Sequence, residues 1–196
     1  MEEIMELWEE IKFEVGTIGN DLIPKDKREV LIGMGDRNAP ILFIGNDTGL
    51  YLAENYKVGA NSTGEFLLKL LDIVEIRPDM YYITTLSKRE VKFKFFIAEE
   101  DRKKLLDLLF MQIALIAPRI IVFLGSDTAQ IVLGKEVDFD RERGEFFNWK
   151  GEIETFITYD IESVIKARND EGKKSIVATN FWNDIKSIKL RLENNE

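Results

Sequence analysis

Ile41-Leu42-Phe43-Ile44-Gly45-Asn46-Asp47-Thr48-Gly49 is the stretch on which the reading of this chain turns. Four successive apolar residues, without polar alternation, predict a short strand covered on both faces, the kind found in parallel sheets sandwiched between helices. The glycines and short polar residues after it predict a tight turn in which the backbone can approach a ligand. In open α/β sheets, ligands sit outside the carboxyl ends of the strands, where this turn lies. Asp47 is its one ionisable side chain. It can serve as a general base or a charge stabiliser, or it can cap the backbone of its own turn.

Working outward, Ile4, Leu7, Trp8, Ile11 and Val15 fall at helical spacing among glutamates and predict an amphipathic helix over residues 3–15, stopped at Gly16. A loop with Pro24 follows, then a short strand at Val30–Ile32 and a turn at Gly33–Asp36. Asn38 stands where a dinucleotide fingerprint would need its third glycine, so this is a plain turn. Beyond the central turn, Leu50–Thr63 is an irregular loop. Ser62-Thr63-Gly64-Glu65 has capping-box spacing, and Leu67, Leu70, Leu71 and Val74 supply the buried stripe of the helix it opens. Tyr81–Thr85 is β-rich, so strand, helix and strand predict a parallel crossover.

Farther on, residues 99–117 predict a well-buried helix ended by Pro118, and Arg119–Gly125 a second buried strand. Ser126 is read as the cap of a helix from Asp127 to Leu133. A loop over 135–149 leads to a last strand, 153–159, and a short helix opened by Asp160. The final helix, 175–193, places Ile176, Phe181, Ile185, Ile188 and Leu192 inward. The order predicts an α/β domain spanning 1–196, with residues 1–29 packed on it.

Composition narrows the chemistry. The 196 residues are 45% apolar and carry a net charge of −9, so the molecule as a whole is no polycation seeking nucleic acid. Histidine and cysteine are both absent. Ser-His-Asp, Cys-His and zinc-hydrolase chemistries are thereby excluded, and catalysis would run on carboxylates, hydroxyls, amides, lysines or backbone dipoles. No apolar run reaches the roughly 18 to 20 residues of a membrane span, and Met1-Glu2-Glu3 is unlike a signal peptide, which predicts a cytoplasmic protein. Residues 86–97 interleave Lys88, Arg89, Lys92 and Lys94 with Val91, Phe93, Phe95 and Phe96. That mixture reads either as a nucleic-acid surface or as an edge strand whose lysines deter aggregation.

The order of these pieces resembles the uracil-DNA glycosylase superfamily, most closely its four-cysteine thermophile branch. The resemblance runs through Gly33-Met34-Gly35, Ile41–Ile44, the turn Gly45–Gly49, Val58-Gly59, Gly64, Tyr82-Ile83-Thr84-Thr85 and Lys88. It continues through Gln112-Ile113, Pro118, Leu124-Gly125, Arg143-Gly144, Trp149 and Thr158-Tyr159, and closes on Trp182 and Asp184. It implies a three-layer α/β/α sandwich whose strand ends form a pocket for a base flipped out of DNA.

The resemblance also assigns roles. Asn46 stands where the thermophile branch carries a glutamate, and Asp47 where the classical branch carries its aspartate, so Asp47 would stabilise the deoxyribose cation and orient water. Asp160 stands where the family's histidine meets the departing uracil. Losing such an oxyanion donor typically costs about 100- to 1000-fold in rate. Thr85 replaces the asparagine that reads uracil's pairing edge, and Tyr56 or Lys57 occupies the place of the base-stacking aromatic, Tyr56 being equally readable as loop packing. Gly45, Thr48, Gly49 and Tyr159 would complete the base pocket, with Lys88, Arg89, Ser126 and Arg143 near phosphates. The branch's cluster cysteines are missing: the Thr17–Leu22 loop, Arg89 and Leu105 stand in their places. No metal and no cofactor is expected. DNA is the expected partner, or a nucleobase or nucleotide ligand if the fold has lost hydrolysis.

Overall fold

The computed structural model describes residues 2–50, 58–96, 98–172 and 174–194. In chain order the main elements are α1 (Glu2–Thr17), β1 (Met34–Gly35), β2 (Ile41–Gly45), α2 (Thr63–Ile73), β3 (Tyr81–Thr85) and α3 (Glu99–Ile116). They continue with β4 (Ile120–Leu124), α4 (Ser126–Leu133), α5 (Phe139–Glu142), β5 (Phe146–Trp149), β6 (Ile153–Thr158), α6 (Ile161–Glu171) and α7 (Ile176–Glu193). The strands form one sheet in the order β1-β3-β2-β4-β6-β5. The four central strands are parallel, and β1 and β5 pair antiparallel at its edges.

The apolar run of β2 is buried on both faces, as its composition requires. Ile41 and Phe43 join Ile120 and Val122 against α2, α6 and α7, while Leu42 and Ile44 join Ile121 and Phe123 against α1, α3 and α4. This is the three-layer α/β/α sandwich. Each such side chain, wholly withdrawn from water, contributes roughly 1.5–3 kcal/mol. From β2 the chain crosses to β3 on one side and then returns past β2 to β4 on the other. The carboxyl ends of β2 and β4 therefore flank a topological switch point, where the crossovers diverge and leave a crevice.

Several boundaries differ from the sequence reading. Helix α1 runs through Gly16 to Thr17, and the chain turns instead at Gly19 with φ +70°. Its buried side is limited to Trp8, Ile11 and Val15, leaving Ile4 52% exposed. Residues 30–32 form no strand beyond one isolated bridge from Val30 to Arg89. The Ile32 carbonyl is taken by side chains, accepting from Gln112 Nε2 at 2.7 Å and Thr84 Oγ1 at 2.9 Å. The ladder falls on Met34–Gly35, where a Cβ on Gly35 would overlap the Tyr81 carbonyl.

Downstream, Phe146–Trp149 forms a half-buried antiparallel edge strand where a loop was expected. Ser126 is the first residue of α4 rather than its cap, which is Gly125. Helix α6 runs from Ile161 to Glu171, longer than the short helix expected. Ile176, expected inward, is 74% exposed because it opens α7 ahead of the turns that meet the sheet. The Ser62 cap of the expected box is present, Ser62 Oγ accepting the Glu65 amide, but Glu65 Oε2 reaches one residue farther back and accepts the Asn61 amide, while Ser62's own amide donates to the Gly59 carbonyl. No described helix is long and apolar enough to cross a membrane.

Candidate active site at the strand ends

A hollow of about 260 Å³ opens beyond the carboxyl ends of β2, β4 and β6. Gly45, Asn46 and Asp47 enter it from β2, Leu124–Thr128 from β4 and the start of α4, and Asp160–Glu162 from β6 and the start of α6. Lys92 and Lys94 close it from the segment before α3.

Asp47 is held by its own turn. Its Oδ1 accepts the Gly49 amide at 2.9 Å, the backbone-capping geometry that short polar residues favour in turns. Its Oδ2 is withdrawn from bulk solvent and has no hydrogen-bond partner among the described residues. An unmade bond of this kind typically costs about 1–3 kcal/mol. Gly49 is required for this arrangement. A Cβ there would sit 2.8 Å from Thr63 Oγ1 and 3.4 Å from Asp47 Oδ1, pressing on the carboxylate. Thr63 Oγ1 is likewise buried and unpartnered, beside the same glycine. Asn46 does a different job: its Oδ1 accepts the Phe93 amide at 3.2 Å, pinning the lysine-bearing segment to the turn. Thr48 lies in the turn, half-buried.

Two helices begin at the hollow, and they differ. Helix α6 is capped by Asp160, whose Oδ1 accepts the Ser163 amide at 2.8 Å and whose Oδ2 accepts the Ser163 hydroxyl at 2.7 Å. Its carboxylate borders the hollow with both oxygens engaged. Helix α4 starts from Gly125, which has no side chain to offer, so the partial positive charge of its first turn opens onto the hollow beside Ser126.

The wall carries four carboxylates, Asp47, Asp127, Asp160 and Glu162, against the ammonium groups of Lys92 and Lys94. Lys92 Nζ lies 2.6 Å from Glu162 Oε2, pairing two residues of the wall. That hydrogen bond raises the lysine's pKa against the opposing effect of burial, with further help from the charges of Glu162, Asp47 and Asp160, so Lys92 stays a cation. The sequence reading had no means of pairing Lys92 with Glu162, seventy positions apart. Among the described residues no group of three or more Asp or Glu gathers closely enough to hold a metal ion.

Other expected site residues lie elsewhere. Thr85, at the end of β3, is 3% exposed and lies outside the hollow; its Oγ1 accepts the Lys88 amide and its carbonyl accepts from Lys88 Nζ. Tyr159 packs edge-on to Phe139 and under Arg143. Arg143 forks onto Asp184, with Nη1 at 2.7 and 2.9 Å from its two oxygens. Asp184 also accepts from Thr158 Oγ1 at 2.6 Å, and burial raises its pKa against those two partners. Tyr56 and Lys57 lie outside the described residues.

Lys88 and Arg89, read as phosphate contacts, are 0% and 1% exposed. Lys88 gives its ammonium to one carbonyl, and desolvation pushes its pKa down to about 7. Arg89 Nη1 donates to the carbonyls of Val15 at 2.8 Å and Ile18 at 3.2 Å, and Nη2 donates to Asn20 Oδ1 at 3.2 Å. Phosphate contact by either needs the fold to open. Arg89 and the 17–22 loop stand where the thermophile branch has cluster cysteines, and Leu105 is wholly buried in the core. With no thiolate in the chain and a guanidinium already tying that loop, these residues do not fit an iron–sulfur cluster.

The fold is thus an open α/β/α sandwich with an acidic, turn-borne group at its switch point. The family profile of the Uracil DNA glycosylase superfamily matches residues 32–186, and the chain belongs to that superfamily. A Type-4 uracil-DNA glycosylase of Thermotoga maritima is 24% identical over 153 residues, a stretch covering 78% of this chain and 80% of that protein.

Proposed function

We propose that this protein is a DNA N-glycosylase that releases uracil or another deaminated base, with activity weak or altered relative to its family. The observation that carries this reading is Asp47: it borders the hollow with one carboxylate oxygen fixed by Gly49 and the other without a partner among the described residues. As the glycosidic bond lengthens, positive charge grows on the deoxyribose. A fixed carboxylate stabilises that charge and orients the attacking water. The cytoplasm would be its place of action and DNA its partner.

The altered activity follows from what the hollow lacks. Thr85 is turned to Lys88, so the donor–acceptor pair that would read uracil is missing, and Asp160 is committed to its helix. A second reading, a binding module without hydrolysis, is favoured by the excess of carboxylates in the wall. An oligonucleotide panel carrying uracil, hypoxanthine or xanthine separates the two. Abasic product that falls about 100-fold or more in Asp47→Asn supports catalysis. DNA binding without turnover supports the binding module, and neither result would leave DNA out of its function.

A further inference from the structure

We infer that Lys92 is the group that takes up negative charge on the departing base; this rests on the glycosylase reading above. Three observations lead to it. Lys92 borders the same hollow as Asp47. Its backbone is tied to Asp47's turn through the bond from the Phe93 amide to Asn46 Oδ1, with Phe93 buried beneath. Its ammonium is held 2.6 Å from Glu162, a second residue lining the hollow, so its charge is fixed at the border of the space where a base would sit.

Cleavage separates charge: the sugar becomes cationic, and the base leaves with the electron pair of the broken bond. Asp47 serves the first half. The second half needs a donor, and Asp160, at the tip of β6, has both oxygens engaged as acceptors by Ser163. Of the two ammonium groups in the wall, that of Lys94 sits over the Phe95 ring, 5.4 Å from its centroid. The first turn of α4 offers only a partial positive charge there, whereas Lys92 brings a full one, held by Glu162.

In the step itself the bond from C1′ to the base nitrogen breaks and its electron pair goes to the base. Water oxygen bonds to C1′ and releases its proton to the Asp47 carboxylate, from which it passes to solvent. Lys92 swings a hydrogen bond from Glu162 to the base anion and keeps its own protons.

A charge-accepting role predicts dependence on the leaving group. Rates of base release are measured under single-turnover conditions for uracil and for 5-fluorouracil, whose anion is intrinsically more stable. Lys92→Met is expected to slow uracil release by about 100-fold but 5-fluorouracil release by less than about tenfold, with Lys92→Arg restoring most of the loss. Equal losses on both bases, or none, would overturn the assignment, since a merely structural lysine does not sense the leaving group. Thermal unfolding of each variant separates misfolding from chemistry, and the arginine variant keeps the test valid if the methionine variant unfolds. If the wild-type protein releases neither base, the glycosylase reading fails and this role fails with it. Activity in the wild type with unchanged selectivity in Lys92→Met defeats the role alone.

Discussion

Lys88 and Arg89 lie inside the protein, whereas Lys92 and Lys94, a few residues along the same segment, line the hollow. Residue type does not distinguish the pairs; the acceptors near each do. The last turn of α1 leaves carbonyls without helical partners and concentrates partial negative charge there. Arg89 meets that end of the helix at Val15, whose carbonyl also accepts the Ile18 amide, and at the Ile18 carbonyl just beyond it. Lys92 finds no such carbonyls and pairs instead with a carboxylate of α6. A basic stretch is thus divided by the main chain around it into a staple and a site wall.

The comparison breaks most readily at Arg89. Arg89→Met should cost about 3 kcal/mol or more in urea unfolding, because it strips the donor from two main-chain carbonyls and Asn20. Unchanged stability would mean that the staple is ornamental. Lys88 sharpens the contrast through pH. Its folded pKa near 7 lies below the ordinary 10.5, so the unfolded chain binds more protons between those values. Its unfavourable contribution is full below pH 7 and fades as pH rises toward 10.5. Lys88→Met should remove that rise and stabilise the protein by about 2 kcal/mol at pH 6. A stability profile with the same slope in both proteins would contradict it. The smallest effect belongs to Lys94. Lys94→Ala should leave stability within about 0.5 kcal/mol of wild type. On the proposed DNA-acting function, it should lower the salt dependence of DNA binding by roughly one phosphate's worth, a slope change of about 0.7–0.9. A salt titration of binding reads this directly.

The same contrast explains which parts of the site could be read from sequence. Asp47 was legible because its surroundings are local: the strand before it and Gly49 after it determine where the carboxylate goes. Asp160 was legible as a helix opener for the same reason, its acceptor role being satisfied three residues on. Arg143 matched a family pattern and Thr85 stood at the place of a family asparagine, yet their partners, Asp184 far along the chain and Lys88 on a reversing loop, draw them away from the hollow. Lys92 was visible only as one charge among several. The misplaced first strand has a similar origin: Ile32's carbonyl is claimed by Gln112, eighty positions away.

By itself, the sequence determined the alternation of buried strands and helices, the place of the β2 turn, the caps at Ser62 and Asp160, and the absence of thiol and imidazole chemistry. These depend on near neighbours or on composition. Tertiary structure alone decided which basic residues face inward, which strand tips border the hollow, and that Lys92 and Glu162 meet in its wall. Each of those depends on acceptors and charges brought together from distant parts of the chain, and local pattern carries no record of such distances.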